Sequence, residues 1–180
     1  MVRGGSGSLP RVVSSVMAST LNHTVSYPFS TARYWEIITT EQYWRDLLQI
    51  INSSHGVLES FALDGDTVTV EMKQGIPEDK LPSMITKVRP GDLGIPRRNV
   101  FTRNGETISG TMTASVTGAP ATVEATVSVT GDPASMQYSG SATVSIPFVG
   151  SKIEKAVIDE LTKLLDAEHD ETVTWEQSNH

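Results

Sequence analysis

Ala121-Thr122-Val123-Glu124-Ala125-Thr126-Val127-Ser128-Val129-Thr130 alternates without a break, and this stretch decides the fold. Val123, Ala125, Val127 and Val129 face one way; Thr122, Thr126, Ser128 and Thr130 face the other. After Gly131-Asp132-Pro133 the alternation resumes, with Met136, Tyr138, Ala142, Val144 and Ile146 against Gln137, Ser139, Ser141, Thr143 and Ser145. A period of two gives strands with one buried face. At Pro147-Phe148-Val149-Gly150 the period changes. Ile153, Ala156, Val157, Leu161, Leu164 and Leu165 then recur at helical spacing, so the pattern predicts one long helix from about Phe148 to Glu171 with its apolar stripe on the sheet.

Outward from this pair, Leu21, His23, Val25 and Tyr27 mark a first strand that Pro28 stops. Ser30 is placed to cap a short helix through Ile38. Thr39 with Gln42 reads as a capping box for a second helix through Ile51. Residues 57–63 and 67–74 flank Asp64-Gly65 as a hairpin. Residues 75–96 contain four prolines (Pro77, Pro82, Pro90, Pro96) and read as irregular, with a turn or two of helix at 81–88. Strands return at 99–103 and, past Asn104-Gly105, at 107–117. The order is strand, two helices, six strands, long helix. It specifies an α+β fold in which a curved antiparallel sheet of about seven strands wraps a C-terminal helix. Residues 19–175 form that domain, residues 1–18 a Gly/Ser-rich flexible extension, and residues 176–180 a disordered tail. Met17 is an alternative start of the folded unit, and Arg11 interrupts the apolar run that a secretory signal needs.

At 180 residues the chain suits one domain. A net charge of −7 argues against a nucleic-acid backbone as main partner. Eight acids against three lysines after Phe148 read as the solvated face of the last helix. No stretch approaches the roughly 20 apolar residues of a membrane span, so no integral membrane association is expected. The absence of cysteine removes disulfides and thiolate chemistry and fits a cytoplasmic protein.

The inner face of the last four strands carries small groups: Gly110, Ala114, Ala121, Ala125, Gly140 and Ala142. Such a face either lets the helix approach closely or leaves a space, and glycines inside strands often mark bends. A bent sheet around a helix encloses volume of the kind that holds small apolar ligands. The candidate lining residues are Met72, Met112, Ala125, Val127, Tyr138 and Leu161, with Trp35 near an entrance.

The element order and two stretches resemble the START-like superfamily, the helix-grip fold of the birch-pollen allergen, lipid-transfer START domains and polyketide cyclases. The first is Asn22-His23-Thr24-Val25-Ser26-Tyr27 leading into Tyr43-Trp44. The second is Ile146-Pro147-Phe148-Val149-Gly150-Ser151-Lys152-Ile153-Glu154-Lys155 leading into Leu164-Leu165-Asp166-Ala167-Glu168. Within the superfamily the chain is similar to a family of uncharacterised actinobacterial proteins. The resemblance implies a cavity for a hydrophobic or lipid-like molecule, and it implies no catalytic residue.

No catalytic elbow, phosphate loop or metal motif is present, so no cofactor and no metal are expected. Asp166, Glu168, His169 and Asp170 read as a charged helix end. His23 lies on the apolar face of the first strand, either as a satisfied core histidine or as a polar group facing the cavity. For Glu59 two registers are open. In one it shares an inner face with Phe61 and Leu63, and burial raises its pKa; in the other Leu58 and Ala62 point inward. Lys80, Lys87, Arg89, Arg97, Arg98 and Arg103 either keep a loop soluble or meet an anionic head group. Three functions follow: a binder of a hydrophobic or lipid-like molecule, a cyclase- or aromatase-like enzyme in the same cavity, and a protein-interaction adaptor with a solid core.

Overall fold

The computed structural model describes residues 19–180; the expected extension over residues 1–18 lies outside them. Seven strands and four helices follow in order: β1 (Ser19–Ser26), α1 (Thr31–Ile38), α2 (Glu41–Ile51), β2 (Val57–Asp64), β3 (Thr67–Ile76), α3 (Ser83–Val88), β4 (Leu93–Asn104), β5 (Thr107–Ser115), β6 (Ala121–Thr130), β7 (Ser135–Val144) and α4 (Gly150–Asn179). The strands form one antiparallel sheet in the order β1-β7-β6-β5-β4-β3-β2. Its inner face is covered by α4, with α1 and α2 packed beside the far end of that helix. This is the helix-grip arrangement expected from the sequence.

The alternating stretch pairs as its sequence requires. Val123, Ala125, Val127 and Val129 are buried opposite Ala142, Gly140, Tyr138 and Met136. Gly140 is required by a close approach: a Cβ there would stand 2.0 Å from the Glu124 carbonyl oxygen and 2.5 Å from Ala125 Cα. Neither is a flexible side-chain end, so the strands must part to admit even a methyl group. Gly140→Ala is therefore expected to cost about 1–3 kcal/mol, the range for overpacking a filled core, measurable as a lowered urea midpoint at unchanged slope.

Four local expectations change. Thr40, not Thr39, stands at the start of α2, and neither hydroxyl caps it: Thr39 Oγ1 donates to Trp35 O and Thr40 Oγ1 to Glu36 O, both back into α1. Strand β4 begins at Leu93 rather than Asn99. Pro96 is tolerated because residues 93–96 pair with β3 alone, β5 joining only at Arg97, so no ladder is interrupted by the missing N–H. In β2 an irregularity between Leu58 and Ser60 brings both Leu58 and Phe61 onto the inner side, opposite Met72 and Val70. Neither simple register of that strand holds.

The fourth concerns the end of the chain. Residues 176–179 continue α4 instead of forming a tail. The helices at the start of the domain hold them. Arg33 Nε donates to Glu176 Oε1 at 3.3 Å and its Nη2 to Asn179 O at 3.1 Å. Trp175 Nε1 donates to Asp46 Oδ2 at 2.9 Å while its ring meets Tyr43 edge-on. These partners are distant in sequence, so the apolar period that ends near Glu171 carries no trace of them.

Candidate functional site

Leu165 is buried in the main core, but Leu164 beside it and Leu161, Val157 and Ala156, one to two and a half turns earlier, are only half-buried. They face a cavity of about 330 Å³ between the first half of α4, α3 and the sheet. From the sheet the walls are Ile76 on β3, Leu93 and Ile95 on β4, Met112 and Ala114 on β5, and Val123 on β6. Leu81 and Ile85 close the side toward α3, and Lys80 and Lys163 stand exposed at the rim. The main core lies on one side of this space and a smaller apolar cluster around Ile85, Leu93, Ala121, Val144 and Ile153 on the other. The volume falls within the range of small-molecule sites.

Two of the polar side chains on the cavity wall are buried, while the others, among them Asn52 and Glu160, are half-buried or exposed. The Arg97 side chain, 4% exposed, lies on its wall. Both guanidinium Nη atoms donate to the two carboxylate oxygens of Glu168 on α4, the Nη2–Oε2 distance being 3.1 Å, and Nε donates to Asn99 Oδ1 at 3.2 Å. Burial works against a charged guanidinium here, but the Glu168 carboxylate and its hydrogen bonds outweigh it and hold the Arg97 pKa above its ordinary value. The pair is surrounded by phenols. Thr172 Oγ1 donates to Glu168 O, which leaves Tyr43 Oη as the donor in its 2.6 Å bond to Thr172 Oγ1. Burial above all, then neighbouring charge, pushes the Tyr34, Tyr43 and Tyr138 phenols well above their usual range, so they stay neutral.

The second buried polar side chain is Gln74. It is buried on β3, lines the cavity, and its Nε2 has no hydrogen-bond partner. The backbone that carries it is fixed by Asn52 at the end of α2: Asn52 Nδ2 donates to Gly75 O at 2.9 Å and Gly75 N to Asn52 Oδ1 at 3.0 Å.

Of the lining residues expected from the sequence, the structure brings Met112 and Leu161 to this cavity, and of the basic cluster Lys80 and Arg97. Ala125, Val127 and Tyr138 are packed in the main core. Met72 is also buried there, pairing with Arg97 across β3 and β4. Trp35 is buried under the Arg103 guanidinium, 5.4 Å from its ring centre, and forms no entrance. His23 faces inward at the sheet edge, where its Nε2 lies 2.7 Å from Asp166 Oδ1 and ties β1 to α4. Glu59 sits at the β2 irregularity and pairs outside with Lys73 at 3.1 Å. Asp166, Glu168 and His169 diverge: Glu168 turns inward to Arg97, and His169 Nε2 meets the Ser26 carbonyl. Among the described residues no group of three or more His, Asp or Glu side chains is arranged to hold a metal. The basic cluster is likewise dispersed, with Arg97 buried, Arg98 paired with Glu71 and Arg103 with Asp66.

Sequence patterning passed over Gln74 altogether, and it read Arg97 only as one of a basic cluster and Glu168 only as part of a charged helix end. One signal for Arg97 exists: Leu93, Ile95, Arg97, Asn99 and Phe101 alternate as an inner face, which is visible once Pro96 is allowed inside a strand.

The curved antiparallel sheet around a long C-terminal helix is a helix-grip fold. The family model described as "Protein of unknown function (DUF2505)" matches residues 22–175, and the chain belongs to that family. An uncharacterised protein of Mycobacterium tuberculosis is 26% identical over 176 residues, covering 91% of this chain and 99% of the relative. Among solved structures, an uncharacterised protein from Rhizobium leguminosarum superposes with a TM-score of 0.52 at 8% identity, over 89% of this chain and 95% of that one. A Thermus thermophilus protein superposes with a TM-score of 0.51 at 10% identity, over 86% and 97%. These likenesses are likenesses of fold. Among the described residues no helix is long and apolar enough to cross a membrane.

Proposed function

We propose that the protein binds a hydrophobic or lipid-like small molecule, in the cytoplasm, within the space between α3, the first half of α4 and the sheet. The observation that carries this reading is the cavity of about 330 Å³ with walls of Ile, Leu, Val, Ala and Met side chains. An apolar space of this size left empty forfeits the contacts its walls would otherwise make, and an apolar ligand restores them. The absence of cysteine supports the compartment.

An enzyme reading finds less support. His23, Glu59 and Tyr138 were the available acid–base groups; the first pairs with Asp166, the second lies outside, and the third is in the packed core. No carboxyl and imidazole converge on the cavity among the described residues.

A neutral fluorescent probe, N-phenylnaphthylamine, is expected to bind at one saturable site. Ala156 lines the cavity from α4 and is half-buried, so Ala156→Phe places a ring in empty space. It is expected to weaken probe binding at least tenfold while changing stability by less than about 1 kcal/mol, because nothing filled is overpacked. Unchanged probe binding in this variant would remove the cavity as the site.

A further inference from the structure

We infer that the ligand carries a neutral oxygen acceptor, such as an ester, ketone or hydroxyl oxygen, which receives a hydrogen bond from Gln74 Nε2 inside the cavity. This rests on the binding function proposed above and adds the chemistry of the ligand's polar end.

Among the described residues, Gln74 Nε2 is the one buried side-chain nitrogen or oxygen without a partner. The residue is 5% exposed and lies on the cavity wall. A buried donor left unpaired is costly, and native proteins satisfy nearly all such groups. The neighbouring chain is already spoken for. Asn52 is held by two hydrogen bonds to the Gly75 backbone, one from Nδ2 and one to Oδ1, and makes none to Gln74. An acceptor entering the cavity beside Gln74 is a partner that turning its amide would reach.

The charge of that partner follows from Arg97. On the inner face Gln74 pairs with Ile95 and Met72 with Arg97, which makes Gln74 and Arg97 diagonal neighbours within reach of long side chains. A carboxylate at Gln74 would therefore look to Arg97 for compensation, but that guanidinium is engaged by both oxygens of Glu168. A second anion would leave one negative charge uncompensated among apolar walls, which is strongly disfavoured. A neutral acceptor meets no such cost. The lysines of the cavity, Lys80 and Lys163, are exposed at its rim and do not serve the interior.

Displacement of N-phenylnaphthylamine from the full chain by decane, methyl decanoate and decanoate tests this. Methyl decanoate is expected to bind about fivefold tighter than decane, the ratio supplied by one net neutral hydrogen bond. Decanoate is expected to bind more weakly than the ester. In Gln74→Leu the ester's advantage over decane disappears while decane still binds, and the empty variant melts at or above the parent temperature because an orphaned donor is gone. Equal binding of decane and ester by the parent protein would overturn the inference and leave the cavity function standing. Failure of both to displace the probe would sink the cavity function itself. Tighter binding of decanoate than of the ester, with or without sensitivity to Gln74, would overturn the neutral head group. A lowered melting temperature of Gln74→Leu would show that the amide is already satisfied in the empty protein, and would overturn the inference too.

Discussion

Glu168→Leu is expected to cost about 3–5 kcal/mol of folding stability, because it leaves the Arg97 guanidinium charged and buried without its counter-ion. Arg97 is 4% exposed and Glu168 7%, so neither solvent nor a surface carboxylate can take over. The guanidinium cannot escape by losing its proton in the folded range of pH, since its pKa lies above any such value. What remains to it is the Asn99 amide oxygen, one neutral acceptor for a full charge. The double variant Arg97→Met/Glu168→Leu removes both charges and replaces them with apolar groups of comparable bulk. It is expected to recover most of the loss, and urea unfolding of the single and double variants reads both numbers directly. If the single variant lost under 1 kcal/mol, the pair would not be buried as described. The pair therefore contributes less to net stability than the single substitution suggests. Its role is positional: it joins β4 to the middle of α4 at the floor of the cavity, and it cancels there a charge that would otherwise select an anionic ligand.

Why some of this was legible in the sequence and some not follows from the range of the interactions. Strands β6 and β7 announce themselves because burial on one face imposes a period of two on consecutive residues, and β6 matches its expected bounds, Ala121–Thr130. The glycines at 110 and 140 suggest bends in the sheet by their place in the alternation; what the structure shows at both is a close approach, a Cβ meeting Val100 O at 2.5 Å and Glu124 O at 2.0 Å. The position of the cavity was not legible. Small inner residues such as Ala125 and Ala142 suggested empty space, but small residues also let strands and helix approach, and Ala125 with Gly140 takes that second course. The space lies instead where the helix side chains Val157 and Leu161 stand off from Met112, Ala114 and Val123, a matter of helix tilt that no local pattern encodes. Charged residues misled in a similar way. Glu154 and Glu168 sit among six other acids of the terminal region, yet Glu154 accepts from Val144 N at 2.8 Å and Glu168 from Arg97, both out of contact with solvent. Composition counts such residues as a solvated face; only the partner reveals them as interior.

Leu165→Asp against Leu161→Asp measures the same distinction in one pair of variants. The two leucines sit one turn apart on α4 and belong to one apolar stripe in the sequence. Leu165 is 1% exposed within the main core, so an aspartate there loses its water. The cost is expected to exceed about 4 kcal/mol and to leave little folded protein at ambient temperature. Leu161 is half-buried, so in the empty protein the new carboxylate keeps part of its contact with outside water. Its substitution is expected to cost about 1 kcal/mol, within the ordinary range for single changes, while abolishing the binding of a neutral apolar probe. Equal, severe losses at both positions would mean that Leu161 is packed as tightly as Leu165 and that the helix lies down on the sheet along its whole length. There would then be no space for a ligand, and the apolar interior of this chain would be a core and nothing more.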